Sequence, residues 1–163
     1  MNRRILGFTR DDAGDWIAEL GCIHRQHVRH QPPFRDAAWV LDEHTRAQRI
    51  GTTLDCPLCD RAELPDGLDV VRTTATWNEH TAPEQLRRAH RIASGTWGRL
   101  RVISGRLHFA ADTTPPIEID LHVGDTQPIP PSVSHSVDLT EPVQFCIDFL
   151  RRPSIDSATT PKA

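Results

Sequence analysis

Apolar residues take every second position over much of the later chain. Ile117, Ile119, Leu121 and Val123 alternate with Glu118, Asp120 and His122, and Val143, Phe145, Ile147 and Phe149 alternate with Gln144, Cys146 and Asp148. Leu100 and Val102 alternate in the same way with Arg99 and Arg101, as do Leu107 and Phe109 with Arg106 and His108. A side-chain period of two turns one face to a core and the other to water, so each stretch predicts a strand. The stretches are interrupted at Ser104-Gly105, Thr114-Pro115-Pro116 and Gly124-Asp125, all turn-forming strings. From Val70 onward this succession predicts an antiparallel β-barrel or sandwich. Only residues 82–90 have a helical or irregular character.

The earlier part of the chain is less regular. Residues 5–9 and 16–20 predict a short hairpin, joined by the turn-rich Asp11-Asp12-Ala13-Gly14-Asp15. Gln31-Pro32-Pro33 forces an extended segment, residues 38–41 predict another strand, and residues 42–49 predict a helix that Gly51 stops. Leu64-Pro65-Asp66-Gly67 marks a linker. The organisation expected is a small module over 1–63, a linker over 64–67, a β-barrel over 68–152 and a polar, frayed tail over 153–163.

Charge changes this picture little. The 163 residues carry a net charge of -3, so no global polycation argues for nucleic acid. Up to residue 62 nine Arg balance nine acidic residues, and the remaining 10 basic and 13 acidic residues account for the deficit. No apolar run approaches the length of a membrane span, and the apolar stretch after Arg3-Arg4 is too short for a signal peptide. The chain is therefore expected to be cytoplasmic, where clustered cysteines act as ligands or redox groups rather than disulfides.

Three of the four cysteines fall in the first 60 residues. Cys56-Pro57-Leu58-Cys59 is a C-x-x-C knuckle, which lets two sulfurs turn toward one point. Upstream, Cys22, His24 and His27 form C-x-H-x-x-H, with His30 beyond them. One tetrahedral zinc site explains this grouping, with Cys22, Cys56 and Cys59 joined by either His24 or His27. Extended backbone would put Cys22 and His24 on one face, whereas a turn would let Cys22 and His27 converge. His30 is held off by the following prolines. Four protein ligands would close the site and make it structural. A thioredoxin-like redox role lacks the surrounding βαβ pattern. Arg25, Arg29 and Arg35 with Trp39 could offer a basic aromatic surface, but balanced charge favours a solvated face around the knuckle.

A second string runs from Gly124 to His135 through Pro130-Pro131-Ser132. It resembles the second cupin motif, in which a glycine-to-histidine segment places an imidazole inside a barrel, although Pro-x-Gly is here replaced. In the first cupin motif His90 falls near the first histidine and Gly98 occupies the carboxylate position, so a site of three histidines and a glutamate is absent. Further strings are Arg72-Thr73-Thr74-Ala75-Thr76-Trp77-Asn78, Thr81-Ala82-Pro83, Trp97-Gly98-Arg99-Leu100 and Phe145-Cys146-Ile147-Asp148-Phe149. With them, the span 70–152 resembles the TehB/YeaR-like cupin domain, which occurs alone and beside the methyltransferase of some tellurite-resistance proteins. Gly7-Phe8, the Cys22 to His30 stretch, Trp39-Val40, Arg49-Ile50-Gly51 and the Cys56/Cys59 pair resemble a small bacterial domain of unknown function.

The cupin resemblance implies a jelly-roll barrel and a reduced metal site of His90, His135 and Asp148, suited to Zn, Fe, Mn or Ni. A carboxylate in an apolar strand must pair or coordinate, which favours Asp148. His108 and His122 are expected to point outward, and His80 lies in a loop. The expected fold is mainly β: a cupin-like antiparallel β-barrel or jelly roll with a zinc-ribbon-like N-terminal module. The expected function is binding of metal and of a small molecule or oxyanion in stress response, tellurite entering by resemblance alone. The alternatives are a cupin metalloenzyme, or a regulatory protein whose zinc module contacts a protein or nucleic acid. Nucleic acid is disfavoured, no membrane is expected, and an edge strand would allow a homodimer.

Overall fold

Among the described residues the strands form two antiparallel sheets. The computed structural model describes residues 1–28 and 37–153, so the extended segment expected at Gln31-Pro32-Pro33, together with His30, Arg29 and Arg35, lies outside the described residues. The smaller sheet contains β1 (Asn2–Arg10), β2 (Trp16–Leu20), β3 (Arg25–Val28) and β4 (Thr53–Asp55), in the order β3-β2-β1-β4. β1 and β2 are the expected hairpin, with Phe8 opposite Ala18. Asp11 closes its turn by accepting from the backbone N–H groups of Ala13 and Asp15.

Helix α1 (Glu43–Arg49) fits its sequence. Asp42 caps it by accepting from Thr45 N–H at 2.8 Å, and Gly51 follows with φ +89°. The strand expected at residues 38–41 is instead a 3₁₀ turn, Ala38–Val40. The cause is tertiary: Thr45 Oγ1 donates to Trp39 O and Arg46 Nη1 to Val40 O, so α1 takes the carbonyls that a sheet neighbour would have used. Helix α2 (Pro57–Asp60) is a single turn with proline at its first position.

The larger sheet contains β5 (Asp69–Thr73), β6 (Trp77–Asn78), β7 (His90–Arg91), β8 (Trp97–Ala111), β9 (Ile117–His122), β10 (Thr126–Ile129), β11 (Ser134–Asp138) and β12 (Val143–Arg151). Ser104-Gly105 does not end a strand, as expected, but bends the 15-residue β8. Residues before the bend pair with β10 and β12, and residues after it with β9 and β11. One strand therefore serves two groups of neighbours, which curls the sheet. Gly105 is required at the bend: its φ is +71°, and a Cβ there would meet Pro142 O at 2.0 Å. Residues 82–90, expected to be helical or irregular, hold a 3₁₀ turn, Glu84–Arg87.

Alternation predicted most inward positions correctly. Leu100, Val102, Leu107, Phe109, Leu121, Val143, Phe145 and Ile147 form one core with Ile129 and Val137. Ile119 and Val123, expected on the inward face, are instead 41% and 66% exposed. A second core lies beneath the smaller sheet and gathers Ile5, Leu20, Cys22, Cys56, Cys59 and Val40. Trp97 and Leu150, both on the larger sheet, complete it. Among the described residues no helix is long and apolar enough to cross a membrane.

Candidate metal centre and cavity

Cys22 and His24 sit in the turn from β2 to β3. Ile23, at φ +75°, takes the left-handed conformation, and its N–H donates to Leu20 O while Leu20 N–H donates to His24 O. This compact turn aims Cys22 and His24 at one point. Cys56 and Cys59 flank the first turn of α2, with Cys59 N–H donating to Cys56 O. The four ligand atoms lie within 4.8 Å of one another, and all four residues are buried.

The spacing fits one ion. His24 Nδ1 lies 3.5, 3.3 and 3.5 Å from the sulfurs of Cys22, Cys56 and Cys59, and Cys22 and Cys56 sulfurs are 3.9 Å apart. Tetrahedral zinc, with bonds near 2.0–2.3 Å, places nitrogen about 3.6 Å from sulfur and sulfurs about 3.8 Å apart. His24 Nε2 lies 2.9 Å from Glu63 O, which can only accept. The proton is therefore on Nε2, and Nδ1 faces the sulfurs, as supporting bonds around metal sites arrange. Arg3 Nε donates to Cys59 Sγ at 3.2 Å, and the His24 ring stands edge-on to Trp97 at 5.3 Å.

Burial pushes His24 down, yet hydrogen bonds to Cys22 and Cys56 outweigh it and raise its pKa to about 9. Hydrogen bonds from Cys22 and Cys59 hold the Cys56 thiol below its ordinary range, while the same kind of contact from Cys22 pushes Cys59 up. Positive charge on His24 and negative charge on Cys56 are thus favoured together. The group of Cys22, His24, Cys56 and Cys59 could hold a metal ion such as zinc.

His27, the other candidate fourth ligand, is not brought into this cluster. It lies in β3 opposite Ile17, half exposed, with Nε2 2.8 Å from Asp11 Oδ2. The Ile23 turn consumes the bend that would have carried His27 inward. Arg3 and the Glu63 carbonyl gave no sequence signal, because both reach the cluster only through tertiary packing.

In the larger sheet, His90 and His135 face each other in adjacent strands, with ring centroids 4.1 Å apart. His90 Nδ1 lies 3.0 Å from Arg88 O, and His135 Nδ1 lies 2.9 Å from Val133 O. Both carbonyls fix the proton on Nδ1 and leave Nε2 as the acceptor. Burial, with His90 adding to it against the Val133 bond, lowers His135 to about 4. The pair lines a cavity of about 720 Å³ with Trp77, Leu86, Ile147 and Phe149.

Asp148 does not join them. Strand alternation turns it to the opposite face of β12 from Ile147, where it accepts from Arg99, Arg101 and Thr73 at 2.8–3.2 Å. Burial pushes its carboxyl up, but the bonds from Arg101, Thr73 and Arg99 outweigh this and leave it below the usual carboxylate range. Gly98 leaves no room for a side chain: a Cβ there would lie 2.5 Å from Ile92 Cδ1 and 3.1 Å from Ile129 Cβ. His108 and His122 point outward, His108 pairing with Asp120, and His80 is 82% exposed beside Glu79.

The two halves touch at this centre. Trp97 Nε1 donates to Cys22 O at 2.8 Å, and Arg3 Nη1 donates to Pro131 O at 2.8 Å. Arg3 thus links a sulfur of the cluster to the loop that precedes His135.

A mainly β chain with a buried Cys/His cluster is the class these observations define. Residues 6–63 match the model of a protein family of unknown function (DUF3565), and residues 72–147 match the TehB-like domain. The chain combines these two segments in the order its motifs indicated. No curated protein matches. Among solved structures, a protein from E. coli strain K12 is 24% identical, covering 56% of this chain and 97% of its own, with a TM-score of 0.51. That likeness is one of fold. TehB from Haemophilus influenzae is 21% identical over 55% of this chain and 33% of its own, with a TM-score of 0.47.

Proposed function

We propose that this is a cytoplasmic metal-binding protein in which a closed zinc centre staples the N-terminal module and a cupin-like barrel binds a small molecule. The carrying observation is the convergence of Cys22, His24, Cys56 and Cys59 at zinc-like separations, with the His24 proton held on Nε2 by Glu63. Four protein donors leave no open coordination position, so this centre is structural. Residues 1–63 and 68–152 are read as the two domains, joined by 64–67.

The barrel is the functional half. His90 and His135 present two Nε2 acceptors to the cavity and would hold a divalent Zn, Fe, Mn or Ni ion. Such an ion would supply Lewis acidity and leave positions open to a ligand. The remaining ionisable groups lining the cavity are arginines, so no general base separate from the two histidines favours a catalytic role. The TehB-like segment supports a link to tellurite or other oxyanion stress.

Elemental mass spectrometry of untagged wild type, Cys56→Ser and His135→Ala tests this reading. Two metals per wild-type chain are expected, zinc being lost in Cys56→Ser and the other metal in His135→Ala. A single metal lost only in Cys56→Ser would remove the barrel site, and metal-free wild type would sink both.

A further inference from the structure

The cavity beside His90 and His135 has a polarity of its own. Its deep wall is apolar and buried, formed by Leu86, Ile92 and Ile147, with Trp77 and Phe149 partly buried beside them. Three further lining residues, Arg72, Arg91 and Arg151, are exposed and so belong to its mouth. No carboxylate is among the described residues that line it.

These guanidiniums differ from the others of the larger sheet. Arg99 and Arg101 are neutralised by Asp148, and Arg106 by Glu141. Arg87 and Arg88 lie near Glu84. Arg72 and Arg151 are instead held in place by uncharged groups. The Arg72 guanidinium carbon stacks 4.6 Å over the Phe149 ring, its cross-strand partner, and Arg151 Nε donates to Thr96 Oγ1 at 2.8 Å. Both are positioned, and no other hydrogen bond from their guanidiniums is made among the described residues, an arrangement suited to bidentate recognition of an anion. Asp69 stands opposite Arg151 in the strand register, but among the described residues no carboxylate forms an ion pair with Arg72, Arg91 or Arg151. In a chain of net charge -3, positive charge at this opening steers anions to it.

Size and lining select among anions. About 720 Å³ falls in the range of cavities that take drug-sized molecules, roughly 300–1,000 Å³. A bare inorganic oxyanion would fill a small part of that volume and leave the apolar wall against water. Burial of an apolar body contributes roughly 25 cal/mol per Å², so the wall favours a ligand that covers it.

We infer that the cavity binds a small amphipathic organic acid, its apolar body against Leu86, Ile92 and Ile147 and its anionic group at the mouth on Arg72 and Arg151. This rests on the reading of the cavity as a ligand site. It goes further in fixing the ligand's charge, its body and its direction of entry.

Titration calorimetry on the full chain tests it with 4-phenylbutyrate, the neutral isostere 4-phenylbutyramide and inorganic phosphate. Phenylbutyrate is expected to bind saturably and at least about tenfold more tightly than the amide, and added salt is expected to narrow that gap. The Arg72→Gln/Arg151→Gln double variant should lose the preference and keep the amide's affinity, while Arg106→Gln should leave both unchanged. Equal affinity for acid and amide overturns the assignment of charge and leaves the cavity as a ligand site. Binding of phosphate without phenylbutyrate overturns the apolar body. No binding of any probe overturns the inference together with the cavity reading. The wild-type comparison of acid and amide stands even if the double variant fails to fold.

Discussion

The Cys/His cluster and the histidine pair both aim ring nitrogens inward, yet they are built for different ends. At the cluster His24 turns Nδ1 inward and bonds Glu63 O through Nε2, and three sulfurs complete a buried tetrahedron. At the pair the tautomer is reversed: Nδ1 is tied to Arg88 O or Val133 O, and Nε2 faces a cavity with an exposed mouth. In each case a backbone carbonyl chooses the working nitrogen. The cluster gathers four protein donor atoms around one buried point, while the cavity leaves open space. The lesson is that donor count and enclosure, more than residue type, separate a staple from a binding site.

The largest break of this contrast is removal of the staple. Cys56→Ser, or chelation of the wild type, is expected to cost on the order of 5 kcal/mol or more, because folding and metal binding are one process at such sites. Urea denaturation with and without chelator checks this, and an unmoved midpoint would show that the cluster is held by packing alone. His135→Ala is expected to cost about 1–2 kcal/mol, since its neighbours already border a cavity.

Next comes the joint between the regions. Trp97 is 0% exposed, donates to Cys22 O and packs on His24. Trp97→Ala is expected to cost about 3–5 kcal/mol. Trp97→Phe should lose mainly the hydrogen bond, about 1–2 kcal/mol. If Trp97→Ala leaves the thermal midpoint within error of wild type, the two cores are independent. Arg3→Ala removes the bonds to Cys59 Sγ and Pro131 O and is expected to cost about 1–3 kcal/mol, read from the same curves.

A smaller effect concerns Asp148, which serves neither site. Its carboxyl is held below its ordinary pKa, so its contribution to stability is complete above the unfolded value near 3.9. That contribution is lost as pH falls through the still lower native value. Asp148→Asn should therefore destabilise at pH 7, by about 2 kcal/mol given partly exposed arginine partners, and lose less than wild type on acidification. Urea midpoints at pH 7 and pH 3 measure both slopes, and parallel slopes would remove Asp148 from the account.

The sequence by itself determined both limbs of β8, and β9 and β12, through period-two alternation, and helix α1, through its run of helix formers and the Gly51 stop. It also marked Cys56 and Cys59 as one knuckle and drew Cys22 toward them, because ligand spacing is a local property. It left His24 and His27 equal. The choice fell to a left-handed Ile23, a conformation that no β-branched residue announces. Alternation placed Asp148 on a face, but only cross-strand register could put Arg99, Arg101 and Thr73 beside it. The continuity of β8 through Gly105, the 3₁₀ turn at Ala38–Val40 and the arrival of Arg3 and Trp97 at the cluster were decided by tertiary structure alone. The physical reason is common to all of them: patterns along a chain encode which face is buried and which neighbours can share a ligand, whereas partners remote in sequence are chosen only once the sheets pack.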